Sequence, residues 1–314
     1  MKQVIYLSGS RGMVGKNILE HIESKNYKIL APNSSELNLL NYSNVEAFIS
    51  HNKPDLIIHA AGVVGGIQAN IKQPVKFLIE NMKMGVNILN ASRANKVQRF
   101  INLSSSCIYP RNSDTALAEE QLLTGELEPT NEGYALAKLT VTRLCEYINR
   151  EDNSFTYKTV IPCNLYGKYD NFNPSSSHMV PGAIRKIHEA KENNSETVDI
   201  WGDGQARREF MYTSDLADFI YYSIKHFDKM PQNINVGIGT DYNINEYYKI
   251  IAEVVGFEGK FKNDLSKPTG MKRKLIDNKK LKRFGWSHKT SLESGIKQTY
   301  EYFLDEVQKW EITL

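Results

Sequence analysis

Leu7-Ser8-Gly9-Ser10-Arg11-Gly12-Met13-Val14-Gly15 follows a short apolar run, Val4–Leu7, and leads into the helical spacing of Val14, Ile18, Leu19 and Ile22. The pattern is strand, G-x-x-G-x-x-G turn, helix. Glycines at those spacings let the chain turn tightly and bring bare backbone against a pyrophosphate, which then sits at the positive end of the helix. This context, rather than the glycines alone, predicts a Rossmann-type start to the fold and a bound nicotinamide dinucleotide. Gly9, Gly12, Met13 and Gly15 are the expected backbone contacts, and Arg11 within the turn can reach a 2′-phosphate.

Working outward, short apolar runs at Lys28–Ala31, Asp55–Ala60, Arg99–Leu103 and Thr156–Ile161 alternate with helical patterns at Pro74–Asn95 and Tyr134–Asn149. Such alternation predicts α/β architecture, a doubly wound parallel sheet covered on both faces. After about Cys163 the rhythm changes. Helices are expected at Met179–Ala190, Asn245–Val255 and Leu292–Leu304, with strands at Val198–Trp201 and Asn233–Ile238. Asn243 with Glu246 has the form of a capping box. The expected division is a dinucleotide-binding domain over residues 1–165 and a smaller α/β substrate domain, mainly 166–314, with segments near 209–240 rejoining the first.

The chain has 314 residues, 41% hydrophobic and 24% charged, which is ordinary globular composition. A net charge of +3 is too small to suggest a nucleic-acid partner. No stretch approaches a membrane span. Cys107, Cys145 and Cys163 form no disulfide framework, and the first apolar run is too short for a secretory leader. The expected location is the cytoplasm. No His/Cys spacing suggests a metal site.

The end of the second strand usually selects the cofactor, an acid binding the ribose hydroxyl of NAD(H) and arginines the phosphate of NADP(H). Here Ala31-Pro32-Asn33-Ser34-Ser35-Glu36 offers neither directly. Arg11 tips the expectation to NADP(H), with NAD(H) still open.

Tyr134 and Lys138 stand four apart on a predicted helix and so share one face. A nearby ammonium is expected to lower the phenol's pKa, so that Tyr134 can exchange a proton with a carbonyl while hydride moves at the adjacent carbon. The fourth strand ends in Ser104-Ser105-Ser106-Cys107-Ile108-Tyr109-Pro110, at the sheet edge where ligands of such folds bind. A hydroxyl there, taken as Ser105, is placed to hold the substrate carbonyl.

The glycine turn, this serine and Tyr-x-x-x-Lys together resemble the extended short-chain dehydrogenase/reductase family. Within it, Ser105–Pro110, Glu128-Pro129-Thr130-Asn131-Glu132, Asn164-Leu165-Tyr166-Gly167, Asp170-Asn171-Phe172, Ser177-His178, Trp201-Gly202, Arg208-Glu209-Phe210 and Ser266-Lys267-Pro268 with Arg273-Lys274 resemble the GDP-L-fucose synthase branch. The resemblance spans nearly the whole chain. It implies 3,5-epimerisation and 4-reduction of GDP-4-keto-6-deoxy-D-mannose to GDP-L-fucose. Cys107 and His178 would carry protons, while Ser105, Tyr134 and Lys138 would serve reduction. Asn164, Trp201, Arg208 and Lys274 would meet the GDP-linked keto sugar. Trp201 could instead fill the second domain's core. The resemblance also implies a homodimer joined through helices 74–95 and 134–149; Leu78, Met82, Val86 and Leu89 form an apolar stripe that could face a partner or equally the sheet. Other GDP-linked keto sugars such as heptoses, a nucleotide-sugar 4-epimerase and a non-catalytic cofactor sensor are the competing readings. Cys145, Cys163 and the remaining histidines are given no chemical role.

Overall fold

A computed structural model describes residues 2–113, 115–267 and 271–312. Pro268, part of the C-terminal match, lies outside the described residues. The first half runs β1 (Val4–Ser8), α1 (Met13–Glu20), β2 (Lys28–Leu30), α2 (Tyr42–Asn52), β3 (Leu56–His59), α3 (Ile67–Lys72), α4 (Pro74–Ala94), β4 (Arg99–Leu103), α5 (Glu132–Glu151) and β5 (Thr156–Pro162). The second runs β6 (Asn164–Tyr166), α6 (Met179–Glu192), β7 (Thr197–Trp201), β8 (Arg207–Arg208), β9 (Phe210–Tyr212), α7 (Thr213–Lys225) and β10 (Asn233–Val236). It continues through β11 (Tyr242–Asn243), α8 (Ile244–Val255), β12 (Lys260–Asp264), β13 (Arg273–Lys274), α9 (Lys279–Phe284) and α10 (Leu292–Ile312).

Six parallel strands form the main sheet in the order β2-β1-β3-β4-β5-β10. Residues alternate between its faces, as the pleat requires. Ile5 and Leu7, Leu56 and Ile58 enter one core, whereas Tyr6, Ile57 and Phe100 enter the other. Helices α1 and α7 pack together, and α2, α4 and α5 form a second group. This explains why these strands read as near-continuous apolar runs.

A third core collects residues of α6, β7, α8 and α10, among them Ile184, Ile200, Tyr247, Ile251, Ile296 and Phe303. Small strand pairings accompany it: β7 with β12, β6 with β9, and β8 between β11 and β13. The Asn243 side chain accepts from Glu246 N at 2.7 Å while the Glu246 carboxylate accepts from Asn243 N at 2.6 Å, so the capping box is real.

Helices α2 and α7 go beyond the sequence reading. Only Val45 and Ile49 of α2 are buried, too few to produce a clear apolar stripe. Helix α7 starts at Thr213, immediately after β9, with no linker to mark its beginning. The stripe on α4 divides between the two orientations. Leu89 is fully buried in this chain's own core, while Leu78, Met82 and Val86 are half-buried. Leu89 lies four residues past Gly85, where α4 meets α5 closely.

That approach depends on Gly85. A β-carbon there would lie 2.2 Å from a methyl of Val141 on α5. Gly85→Ala should therefore destabilise the chain by about 1–3 kcal/mol, the usual range for overpacking. Adding Val141→Ala should recover part of the loss in urea unfolding. Simple additivity of the two effects would show that the helices do not meet as described.

Candidate active site

The cofactor cradle is a matter of space. Gly9 has φ +76°, and a β-carbon on it would come within 2.6 Å of the Ala61 amide nitrogen, just beyond β3. A β-carbon on Gly15 would lie 2.2 Å from the Gly9 carbonyl oxygen. Gly12 caps α1 without a side-chain hydrogen bond, and the first turn holds no acid. The positive end of this helix therefore faces outward with small residues around it, which suits a pyrophosphate.

Ser10 Oγ donates to the carbonyls of Ala31 at 3.1 Å and Pro32 at 3.3 Å. This ties the glycine turn, which carries exposed Arg11, to the end of β2. The turn there is locked: Asn33 Oδ1 accepts from Ser35 N at 2.9 Å, and the Glu36 carboxylate accepts from Asn33 N at 2.8 Å. Glu36 thus serves its own turn. The residues present fit a nicotinamide dinucleotide whose adenosine end lies near Arg11.

Ser105 follows β4 and caps a short 3-10 turn, Ser106–Ile108; its Oγ accepts from Cys107 N at 3.4 Å. The same hydroxyl is near enough to the Tyr134 phenol and the Cys107 thiol to favour the ionised form of each. Lys138 lies one turn along α5, with Nζ 5.8 Å from the Tyr134 ring centre. It donates to the Leu103 carbonyl at 2.9 Å. Burial lowers Lys138 to about 8. The expected lowering of Tyr134 is not seen. Burial raises its pKa, with the Ser105 hydroxyl as a partial offset. Desolvation of a phenolate outweighs a lysine that is itself buried and turned toward a backbone carbonyl.

His178 is the N-cap residue of α6, and its side chain makes no capping bond. Although the residue as a whole is exposed, desolvation of its ring lowers its pKa, and the charge of Lys274 lowers it further. Burial raises the Cys107 thiol, while Lys274, Ser105 and Lys138 pull it back. Lys274 therefore acts on both proton-carrying candidates. At neutral pH the pair stands as a protonated thiol and a neutral imidazole, one acid and one base.

Lys274 and Arg208 are opposite one another on β13 and β8, and both feel the carboxylate of Glu128. Trp201 is 45% exposed, so it does not fill the second core. The ammonium groups of Lys186 and Lys267 each lie 5.9 Å from its ring, beside a cavity of about 550 Å³ that Asp199 and Asp264 also line. Asn164 is half-buried, and its Nδ2 donates to the Glu209 carbonyl at 2.9 Å, which ties β6 to the start of β9 and fixes the amide in place.

Sequence reasoning overlooked Lys186 and Asn81. Asn81 grips Val63 on both sides, accepting from its N at 2.8 Å and donating to its carbonyl at 3.0 Å. This holds Gly62 beside Lys138, where a β-carbon would lie 3.6 Å from Nζ. A lone asparagine within a helix carries no sequence signal for such a clamp. Among the described residues, no three His, Cys, Asp or Glu side chains are gathered as a metal ion would need, and no helix is long and apolar enough to cross a membrane.

Residues 5–239 match the NAD dependent epimerase/dehydratase family. The chain belongs to that family. Within this epimerase/dehydratase family it is 60% identical over 302 residues to GDP-L-colitose synthase of Yersinia pseudotuberculosis, covering 96% of this chain and 98% of that one. It is 46% identical over 307 residues to GDP-L-fucose synthase of Azorhizobium caulinodans, covering 98% of each. A solved structure of the GDP-mannoheptose C4 reductase of Campylobacter jejuni, with NADP bound, superposes with TM-score 0.88 at 30% identity, over 96% of this chain and 98% of that one. The epimerase/dehydratase match makes this chain an enzyme of the extended short-chain dehydrogenase/reductase type.

The shared cation gives a test. Removing the Lys274 charge lets the pKa values of both His178 and Cys107 rise. Lys274→Met should move both limbs of the pH–rate profile to higher pH, since protonation of the imidazole limits the acid side and ionisation of the thiol the alkaline side. An unmoved profile with reduced turnover would mean that Lys274 does not tune this pair.

Proposed function

We propose that this enzyme is an NADP(H)-dependent epimerase/reductase acting on a GDP-linked 4-keto-6-deoxyhexose. The observation that carries the reading is the gathering of Ser105, Cys107, Tyr134 and Lys138 at the end of β4, where Ser105 Oγ accepts from Cys107 N and Lys138 Nζ donates to the Leu103 carbonyl. One carbonyl held at that hydroxyl is within reach of a reducing group and a proton carrier together.

Hydrogens beside a ketone are acidic because the carbanion is delocalised onto oxygen. Ser105 and Tyr134 stabilise that oxyanion by hydrogen bonds. Neutral His178 takes the proton from one face of the ring carbon, and the Cys107 thiol returns one to the other, so configuration inverts. The NADPH cofactor supplies hydride to carbon 4. Tyr134 gives its proton to the new alkoxide, with Lys138 opposing the charge left on the phenol. Gly9, Gly12, Met13 and Gly15 hold the cofactor's pyrophosphate, and Arg11 its 2′-phosphate. Arg208 and Lys274 meet the substrate diphosphate, and Trp201 lies along the nucleotide with Lys186.

The 60% relative favours a particular sugar. Colitose is fucose without its 3-hydroxyl, so carbon 3 has no configuration to invert. Working back from that product gives GDP-4-keto-3,6-dideoxy-D-mannose, epimerised at carbon 5 alone and then reduced at carbon 4. GDP-4-keto-6-deoxy-D-mannose, inverted at carbons 3 and 5 to give GDP-L-fucose, is the second reading, favoured by the resemblance along the chain and the 46% relative. We also read a cytoplasmic homodimer. Val75, Ile79 and Leu136 are exposed on α4 and α5, continuing the half-buried face of Leu78, Met82 and Val86.

Purified enzyme should oxidise NADPH with one or both keto sugars, the product being identified by NMR. Faster turnover of the 3-deoxy substrate to GDP-L-colitose would decide for the first reading, and preference for the hydroxylated substrate for the second. Oxidation with an unepimerised product would remove Cys107 and His178 from the chemistry.

Cofactor selectivity is tested separately. Arg11→Ala should weaken NADPH binding about tenfold or more, the scale of a lost charged contact, while NADH binding changes little. Equal loss for both cofactors would mean that Arg11 does not meet the 2′-phosphate.

A further inference from the structure

Strands β8 and β13 place four cations side by side, with Arg207 opposite Arg273 and Arg208 opposite Lys274. Like charges in direct register repel one another. Successive residues of a strand point to opposite faces, so the ladder sorts these cations into two pairs.

Arg207 and Arg273 converge on one carboxylate. Arg207 Nε donates to Asp241 Oδ1 at 3.0 Å, and its Nη2 donates to the Asp241 backbone carbonyl at 2.6 Å. Arg273 Nε donates to Oδ2 at 2.5 Å and its Nη2 to Oδ1 at 3.4 Å. The Asp241 side chain is only 5% exposed. Burial alone would raise its pKa, but the two guanidinium groups more than offset this and hold it ionised. Asp241 precedes β11, the strand that pairs with β8 from the other side. The carboxylate therefore sits where three strands meet.

Arg208 and Lys274 have different surroundings. Both feel Glu128, and Lys274 also feels Cys107 and His178. These are groups of the substrate cleft.

We propose that Asp241 is a positioning residue for the nucleotide-sugar site: by binding Arg207 and Arg273 it fixes β8 against β13 and directs Arg208 and Lys274, side by side, at the substrate diphosphate. The proposal rests on the reading of this site as a nucleoside-diphosphate site. Asp241 itself touches neither substrate nor cofactor. Removing its charge leaves Arg273 without this carboxylate and Arg207 with only Glu246, 3.7 Å away, and the phosphate-binding pair then loses its fixed spacing.

The experiment uses the full chain. GDP binding is measured by calorimetry, with UDP alongside, and NADPH binding and turnover are measured on the same samples. Asp241→Asn should weaken GDP binding and raise KM for the keto sugar by about tenfold, while kcat and NADPH affinity change less than about threefold. Asp241→Glu should restore part of the affinity. If Asp241→Asn does not fold, Arg207→Gln and Arg273→Gln each remove one arm of the clamp and should each weaken GDP binding. Unchanged GDP affinity in folded Asp241→Asn, or in both arginine variants, would overturn the proposal. Equal losses in GDP affinity, NADPH affinity and kcat would show general damage and overturn it too. Failure of the wild-type chain to bind GDP while it binds UDP would overturn the GDP reading and leave the clamp to be judged on UDP. Binding of neither would overturn both.

Discussion

The ammonium of Lys138 donates to the carbonyl of Leu103, the last residue of β4. This bond couples α5 to the end of the strand that carries Ser105 and Cys107. A helix shifted by one turn, about 5.4 Å, would carry Tyr134 out of reach of Ser105. The close fit of α4 on α5 at Gly85 and Val141 fixes the helix from its other side. Gly62 and Asn81 close the space over the lysine. The catalytic geometry is therefore a consequence of how a helix seats on a sheet.

That seat is costly in electrostatic terms. Lys138 is buried, and its pKa falls to about 8 as a result. Burial likewise drives His59, at the end of β3, down to about 3, with the Lys138 charge adding to the effect. His59 stays neutral and its Nδ1 is paired with Ser8 Oγ at 2.8 Å. Lys138 is thus a buried cation with an uncharged histidine nearby. Across the cleft, Lys274 and Arg208 add positive charge, moderated by Glu128. Such a field suits two diphosphate-bearing ligands and disfavours ionisation of His178.

Much of this was legible in the sequence because it depends on local spacing. The glycine turn needs its strand and helix in immediate succession. Tyr134 and Lys138 need only the helical repeat. The capping box at Asn243 is a three-residue relation. What escaped depends on long-range packing. Leu89 and Met82 belong to one stripe in the sequence, yet only the crowding at Gly85 decides that Leu89 turns inward. Trp201 reads equally well as core or ligand contact until β7 is seen to bury Val198 and Ile200 on its other face. The bond from Asn164 to the Glu209 carbonyl joins segments 45 residues apart, which no local spacing reveals. The phenol's pKa was misjudged because spacing reveals the lysine and hides the burial.

In the proposed reaction the ketone itself limits the order of events. While the ketone persists, the carbons beside it are acidic and both proton carriers can act. Reduction at carbon 4 removes that acidity and ends epimerisation. Inversion must therefore precede reduction, whichever sugar is bound. A 3-hydroxyl makes two such inversions necessary, and its absence leaves one. On the proposed reading, the same Ser105, Cys107, Tyr134 and His178 would serve either case. Discrimination between the two sugars thus belongs to contacts around carbon 3, separate from the catalytic groups. This accounts for how relatives bearing the two names can both resemble this chain over nearly its whole length.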